Sequence, residues 1–142
     1  MSLIRSARYR KFAVLFTRFA LAATYLSGVA DRFGAWGRFG APNVSWGDFQ
    51  HFVSRVQTYV PHASPSLALV VAWVSTVLDS ALALGLLIGV RTRTMAIGSA
   101  ILLVGYALVV AMSPAGLHAV FAYGFFGLAG ASMLLAAVVD DS

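Results

Sequence analysis

The sequence has no cysteine and few charges, and each shortage closes off a class of chemistry. Without a thiol the chain can form no disulfide, thiolate metal site or thiol–disulfide exchange, so it cannot itself carry quinone-linked disulfide chemistry. Charged residues make up 11% of the 142 while 60% are hydrophobic, a balance far from that of water-soluble domains. Ten basic residues against five acidic give a net charge of +5. The basic residues stand beside apolar segments, and no exposed basic stretch with base-reading side chains lies between them, which argues against a nucleic-acid partner. No internal repeat, low-complexity tract or linker divides the chain, so residues 1–142 read as one domain.

Long apolar runs are what the chain has in quantity. A bilayer core about 30 Å thick takes about 20 residues at a helical rise of 1.5 Å. Four runs are long enough: Phe12–Ala30, Ser66–Val90, Thr94–Met112 and Leu117–Val139, interrupted inside only by Arg18 and Asp79 among charged residues. Backbone groups in lipid must be bonded within their own segment, so each run is predicted to be a helix. The expected fold is an all-α membrane protein, a four-transmembrane-helix bundle. Arg5, Arg8, Arg10 and Lys11 precede the first span, and Arg91 and Arg93 fill the turn between the second and third. Short basic flanks stay cytoplasmic, which predicts a multi-pass protein of a bacterial-type inner membrane with both termini inside. A basic start and the Gly28-Val29-Ala30 end also fit a cleavable signal peptide, but Arg18 inside the run favours a permanent span.

The loop after the first span carries an amphipathic helix, expected over about residues 45–60. Trp46, Phe49, Val53, Val56 and Val60 recur at helical spacing with Phe52 and Tyr59 alongside, and His51, Arg55 and Gln57 form the polar face. Ser45 and Asp48 make a capping-box-like start and Pro61 the stop. Such a helix suits the outer headgroup region or the bundle mouth, as a structural lid or as a surface that docks a substrate or partner. Upstream, Gly34, Gly37, Gly40 and Pro42 break regular structure around Trp36 and Phe39, aromatic types suited to anchoring at the membrane interface.

Asp79 is the most informative single residue, because a carboxylate at mid-span is costly unless paired, protonated or beside water. Thr76, Ser80 and Ala83 lie near it on its helix, and Ala72, Thr76 and Ser80 recur every four residues, giving a narrow polar face. On the first span Arg18, Tyr25 and Arg32 share a stripe, beside a small-residue ridge of Ala20, Thr24 and Gly28. Arg18 is one candidate partner for Asp79, and the Tyr25 hydroxyl the next. Against Arg18 stands the lean of helical side chains toward their own N-terminus, which carries Arg18 and Asp79 apart. Arg18 would then snorkel. His51, His62 and His118 all fall on the outer side under this topology, yet their spacing matches no metal motif, and no metal centre is predicted. Gly98, Gly105, Gly124, Gly127 and Gly130 are read as close-packing positions. Phe121, Tyr123, Phe125 and Phe126 either meet lipid and core or line a quinone-sized pocket.

Taken together, these residues resemble the DoxX family of small four-helix membrane proteins. The likeness rests on LFTRFALAATYLSGVADRFG with Arg18 and Gly28, on NVSWGDFQHFV ending at Pro61, on AWVSTVLDSALALGLLIGVRTR and on AYGFFGLAGASMLLA. Where the family often has glutamate this chain has Asp79, and where many members have lysine near the end of the first span it reads Asp31-Arg32. The resemblance implies a place near membrane redox metabolism, as an accessory or anchoring subunit of a quinone-linked oxidoreductase complex that is not catalytic by itself. Distant relatives imply the alternative, a membrane chaperone or carrier for a lipid, small hydrophobic molecule or client protein. No cofactor follows from the residues themselves; a quinone or bound lipid is the candidate ligand. The expected partners are membrane lipids with a membrane protein, a redox complex or further copies of the chain. Stand-alone catalysis has nothing to carry it: no nucleophile with its base, no dinucleotide glycine motif and no histidine at membrane depth for haem.

Overall fold

A computed structural model of the chain describes residues 2–141, with side chains described from residue 6 to 141; the Arg5 side chain of the basic flank lies outside this set. The described residues form six helices and no strand. Helix α1 is Ser2–Arg32, α2 Phe49–Tyr59, α3 Pro65–Ile88, α4 Thr92–Met112, α5 Gly116–Ala122 and α6 Phe125–Val138. Three of them (α1, α3 and α4) are long and apolar enough to cross a membrane, or four spans result if α5 and α6 count as one bent span.

Local sequence sets these boundaries. Pro65 opens α3, where its missing N–H costs nothing, and the Ser64 hydroxyl accepts from the Leu67 amide at 3.2 Å. Gly89 ends α3 in the left-handed conformation (φ 82°). Its Cα hydrogen faces the Arg18 guanidinium so closely that an added Cβ would fall 2.3 Å from Nη2. The amphipathic helix starts later than its pattern suggests: Asp48 is the cap, accepting from the His51 amide at 2.8 Å. Ser45 lies outside the helix because its own amide is drawn to Asp31. The fourth apolar run, read as one span, is broken. Alpha5 and α6 meet at 51° across Tyr123 and Gly124. Alpha6 alone is only about 21 Å long at 1.5 Å per residue, too short for a 30 Å core.

The interior mixes small side chains with a few large apolar ones, and the exterior is strongly apolar. Ala22, Ala72, Ala83, Ala96, Ala107, Ser99 and Ser132 are buried with Leu21, Leu86, Leu103 and Leu135, while Val70, Val77, Ile101, Leu108 and Leu134 face outward. Small side chains inside let helices approach closely, and large apolar ones outside suit a hydrocarbon solvent. Alpha1 packs along α3 and α4 along α6, with α2 lying against the start of α3. Of the glycines expected at close contacts, only Gly98 meets a neighbour, Leu82 at 3.3 Å from the position of a Cβ; Gly105, Gly124, Gly127 and Gly130 face open space. Alanine and serine, with two bonding hydroxyls, serve the α4–α6 seam instead. Of the α1 ridge, Ala20 and Thr24 face away from the bundle, which receives Leu21, Ala22 and Tyr25, while Gly28 is half-buried with Trp46 4.0 Å from the position of a Cβ.

The C-terminal tail closes back on the α3–α4 turn. Asp141 accepts from the Arg93 amide at 2.8 Å and from the Thr94 amide and hydroxyl, so it satisfies donors at the start of α4. Chiefly the Thr94 hydroxyl, with the two amides, holds the Asp141 carboxyl below its ordinary range. A lowered folded-state pKa means that this contribution is complete at neutral pH and is lost as pH falls through the lowered value. Hydrogen exchange at the Arg93 and Thr94 amides, corrected for intrinsic rate, is therefore expected to lose protection only below about pH 4, and to have lost it already at pH 7 in Asp141→Ala, which removes the acceptor. Equal protection in that variant would refute the cap.

Candidate functional site

The last two residues of α1 are both 5% exposed and do opposite jobs. Arg32 turns into the bundle. Its Nη2 donates to Asp79 Oδ2 at 2.5 Å and its Nη1 to Thr76 Oγ1 at 2.8 Å. Thr76 and Asp79 sit three residues apart on one face of α3, and Tyr106 of α4 donates its hydroxyl to Asp79 Oδ1 at 2.9 Å. Three helices are thus fastened around one carboxylate. The guanidinium carbon lies 4.0 Å from the Phe52 ring centroid and 5.5 Å from that of Trp46, so α2 and the preceding loop close over the cation with π faces. Of the buried side-chain nitrogen and oxygen atoms among the described residues, only Arg32 Nε has no hydrogen-bond partner.

Asp31 turns the other way and holds that cover in place. Its carboxylate accepts from the amides of Ser45, Trp46 and Gly47 at 2.9, 3.1 and 3.3 Å. Trp36 reinforces the loop by donating its indole N–H to the Ser27 carbonyl at 3.0 Å. Asp48 then caps α2 and binds the His51 ring at 2.7 Å, while Phe39 stacks on that ring at 3.8 Å. Bonding to the His51 amide and ring holds the Asp48 carboxyl below its ordinary range. On α2, Phe52 and Val56 are buried against Ala68 and Ala72, with Trp46, Phe49 and Val53 packed around them and Arg55 exposed.

Arg18 is not the partner of Asp79. Its Nε and Nη2 donate to the carbonyls of Leu86 and Leu87 at 2.8 and 3.1 Å, satisfying groups that α3 leaves open at its C-terminal end. Side-chain lean explains the exchange. Alpha1 and α3 run in opposite directions, so Arg32 leans back along α1 while Asp79 leans forward to meet it. From the Arg18–Leu86 contact, fourteen residues of α1 against seven of α3 leave about 10 Å along the axis, a gap the two leaning side chains close. Arg32 was visible on the Arg18–Tyr25 stripe but stood just past the apolar run. Tyr106 gave no signal beyond being a hydroxyl inside an apolar span.

Tyr25, the other candidate, bonds elsewhere: its hydroxyl meets Ser99 Oγ at 2.7 Å, and Ser99 meets Ser132 Oγ at 2.9 Å, a second polar tie joining α1, α4 and α6. Ser80 donates to the Thr76 carbonyl at 2.8 Å and does not reach the ion pair in this network. His62 and His118 are exposed and His51 is engaged by Asp48; among the described residues no three metal-ligating side chains converge. Phe121 and Phe126 face outward, whereas Phe125 turns in against Tyr106 at 6.0 Å between centroids. Chemically the cluster is a closed lock: each carboxylate oxygen of Asp79 accepts a bond from within the protein, and the guanidinium carbon lies against the Phe52 and Trp46 rings. No family model, curated protein or solved structure matches the chain.

Proposed function

We propose that the chain is an integral membrane accessory or anchoring subunit, non-catalytic by itself, that serves a quinone-linked redox complex. In this reading α1, α3, α4 and the bent α5–α6 pair are four spans, α2 lies at the outer face and both termini are cytoplasmic. The observation that carries the non-catalytic half is the use made of the buried charges. Arg32 and Asp79 are spent on each other and on Thr76 and Tyr106, and Arg18 on backbone carbonyls, all of which hold helices together. A wide apolar exterior supports insertion beside other membrane helices. The redox partner rests on the resemblance to the DoxX family. Purification of the native complex in mild detergent and identification by mass spectrometry is expected to return a membrane oxidoreductase subunit.

One observation favours a carrier or chaperone instead. Broken helices are a mark of transport proteins, and the break at Tyr123 is joined to α2 by a 3.1 Å bond from the Tyr59 hydroxyl to the Tyr123 hydroxyl. Recovery of the chain alone or with its own copies, without quinone and with lipid or a client protein, would select this second reading.

A further inference from the structure

At the end of the molecule opposite the Arg32–Asp79 lock, α6 stops at Val138 while α1 has several turns still to run. A groove of about 420 Å³ lies between them. Its walls are apolar: Ala7, Val14 and Leu15 from α1 and Val138 and Val139 from the end of α6. Its rim is charged, with Arg10, Lys11 and Asp140. Arg10 donates through Nη2 to the Val138 carbonyl, which holds the guanidinium at the groove mouth with most of its five N–H donors left over. Lys11 is its immediate neighbour and is exposed.

We propose that this groove binds one anionic glycerophospholipid, an assignment that rests on the membrane reading above. The phosphate sits between Arg10 and Lys11, and one acyl chain runs along Val14, Leu15 and Val139. Two cations against one carboxylate leave the rim net positive, which favours a headgroup carrying net negative charge over a zwitterionic one, and basic pockets at the ends of membrane helices are recognised sites for such headgroups. Asp140, which would repel a bare phosphate, has a use if the headgroup carries a hydroxyl, as in phosphatidylglycerol, because its carboxylate can accept that hydrogen bond. The apolar walls select a lipid over a soluble phosphate, since a hydrophilic anion would leave them wet.

Native mass spectrometry of the full chain in mild detergent, titrated with dioleoyl phosphatidylglycerol, phosphatidylethanolamine and phosphatidylcholine, tests the site. One phosphatidylglycerol per chain is expected to be retained in preference to the other two. Removing charge in Arg10→Gln and Lys11→Gln should weaken its binding about fivefold each, while Arg38→Gln, the same charge change in the loop beyond the far end of α1, should not. Leu15→Trp, which fills the groove, should weaken retention of phosphatidylglycerol with the rim charges intact. Equal retention of the three lipids, rim variants that bind like the original, or displacement of phosphatidylglycerol by inorganic phosphate would each overturn the assignment. Release of the chain from membranes by alkaline carbonate would overturn the membrane reading along with it, whereas a carbonate-resistant chain without lipid preference would overturn the lipid site alone.

Discussion

Arg32→Ala is expected to lower stability by about 3–5 kcal/mol, because it strands a carboxylate whose surroundings were built around a cation. Arg32 and Asp79 side chains are 6% and 4% exposed, so the carboxylate left behind has little access to bulk water. Tyr106 would remain as a single neutral donor. The same substitution removes the ion on which the Phe52 and Trp46 rings rest, so α2 should loosen together with the bundle. Unfolding midpoints in detergent check the first effect, and hydrogen exchange along Phe49–Tyr59 checks the second. The charge pair need not be stabilising in itself: exchanging both partners for apolar residues, as in Arg32→Met with Asp79→Leu, should restore most of the loss. An Arg32→Ala protein as stable as the original would show that Asp79 is held by something other than its pairing.

The second large effect comes from a residue with no side chain. Gly47 has φ 70°, and a Cβ added there would lie 2.2 Å from the Phe39 amide nitrogen and 2.7 Å from the Arg38 carbonyl carbon. Both are backbone atoms, which cannot swing aside as a side chain would. Gly47→Ala therefore combines the cost of a left-handed alanine, about 1–2 kcal/mol, with an overlap that must push two loop strands apart, about 1–3 kcal/mol more. The displaced loop would lose the three amides on Asp31 and the ring of Trp46 over Arg32. Faster proteolysis between residues 34 and 48 and a lower unfolding midpoint are expected together. Gly105→Ala provides the contrast, since its Cβ would meet nothing within 4 Å in the middle of α4. Alanine there should leave stability unchanged or raise it by up to about 1 kcal/mol.

These two sites also mark how far the sequence could be read. Run length alone located α1, α3 and α4, because a bilayer imposes a length that hydropathy reports directly. It could not locate the bend at Tyr123–Gly124, since an apolar run says what solvent a segment prefers and nothing about its direction. Asp79 announced itself as a carboxylate among apolar residues, but its partner did not, because pairing depends on helix depth and side-chain lean rather than on composition. Arg18 was the charge inside the span and Arg32 the one just beyond it, yet lean reverses which of them reaches Asp79. The start of α2 is misplaced by its sequence pattern for a similar reason: Ser45 and Asp48 read as one capping box, but the Ser45 amide is taken by Asp31, fourteen residues before it, and Asp48 is itself the cap. Tyr106 and the Tyr25–Ser99–Ser132 tie could not be found without the helix faces, since a tyrosine hydroxyl is placed by helix rotation and depth, and a serine in an apolar span can equally bond its own backbone.

Helices lined with alanine and serine present smooth flanks. Only a few bulky side chains, Leu21, Tyr25 and Leu86 among them, are seated between α1 and its neighbours, so the apolar contact opposes sliding of one helix past the next less than a fully knobbed seam would. The polar ties supply what the packing omits. Arg18 grips α3 at Leu86 and Leu87, and Arg32 grips it again at Thr76 and Asp79, so α1 is held to α3 at two heights. Two pins fix both translation and rotation, where one would leave a pivot. Registry in this bundle is thus written in a few hydrogen-bonded side chains, and loss of one pin should let α1 tilt about the other before the two helices separate.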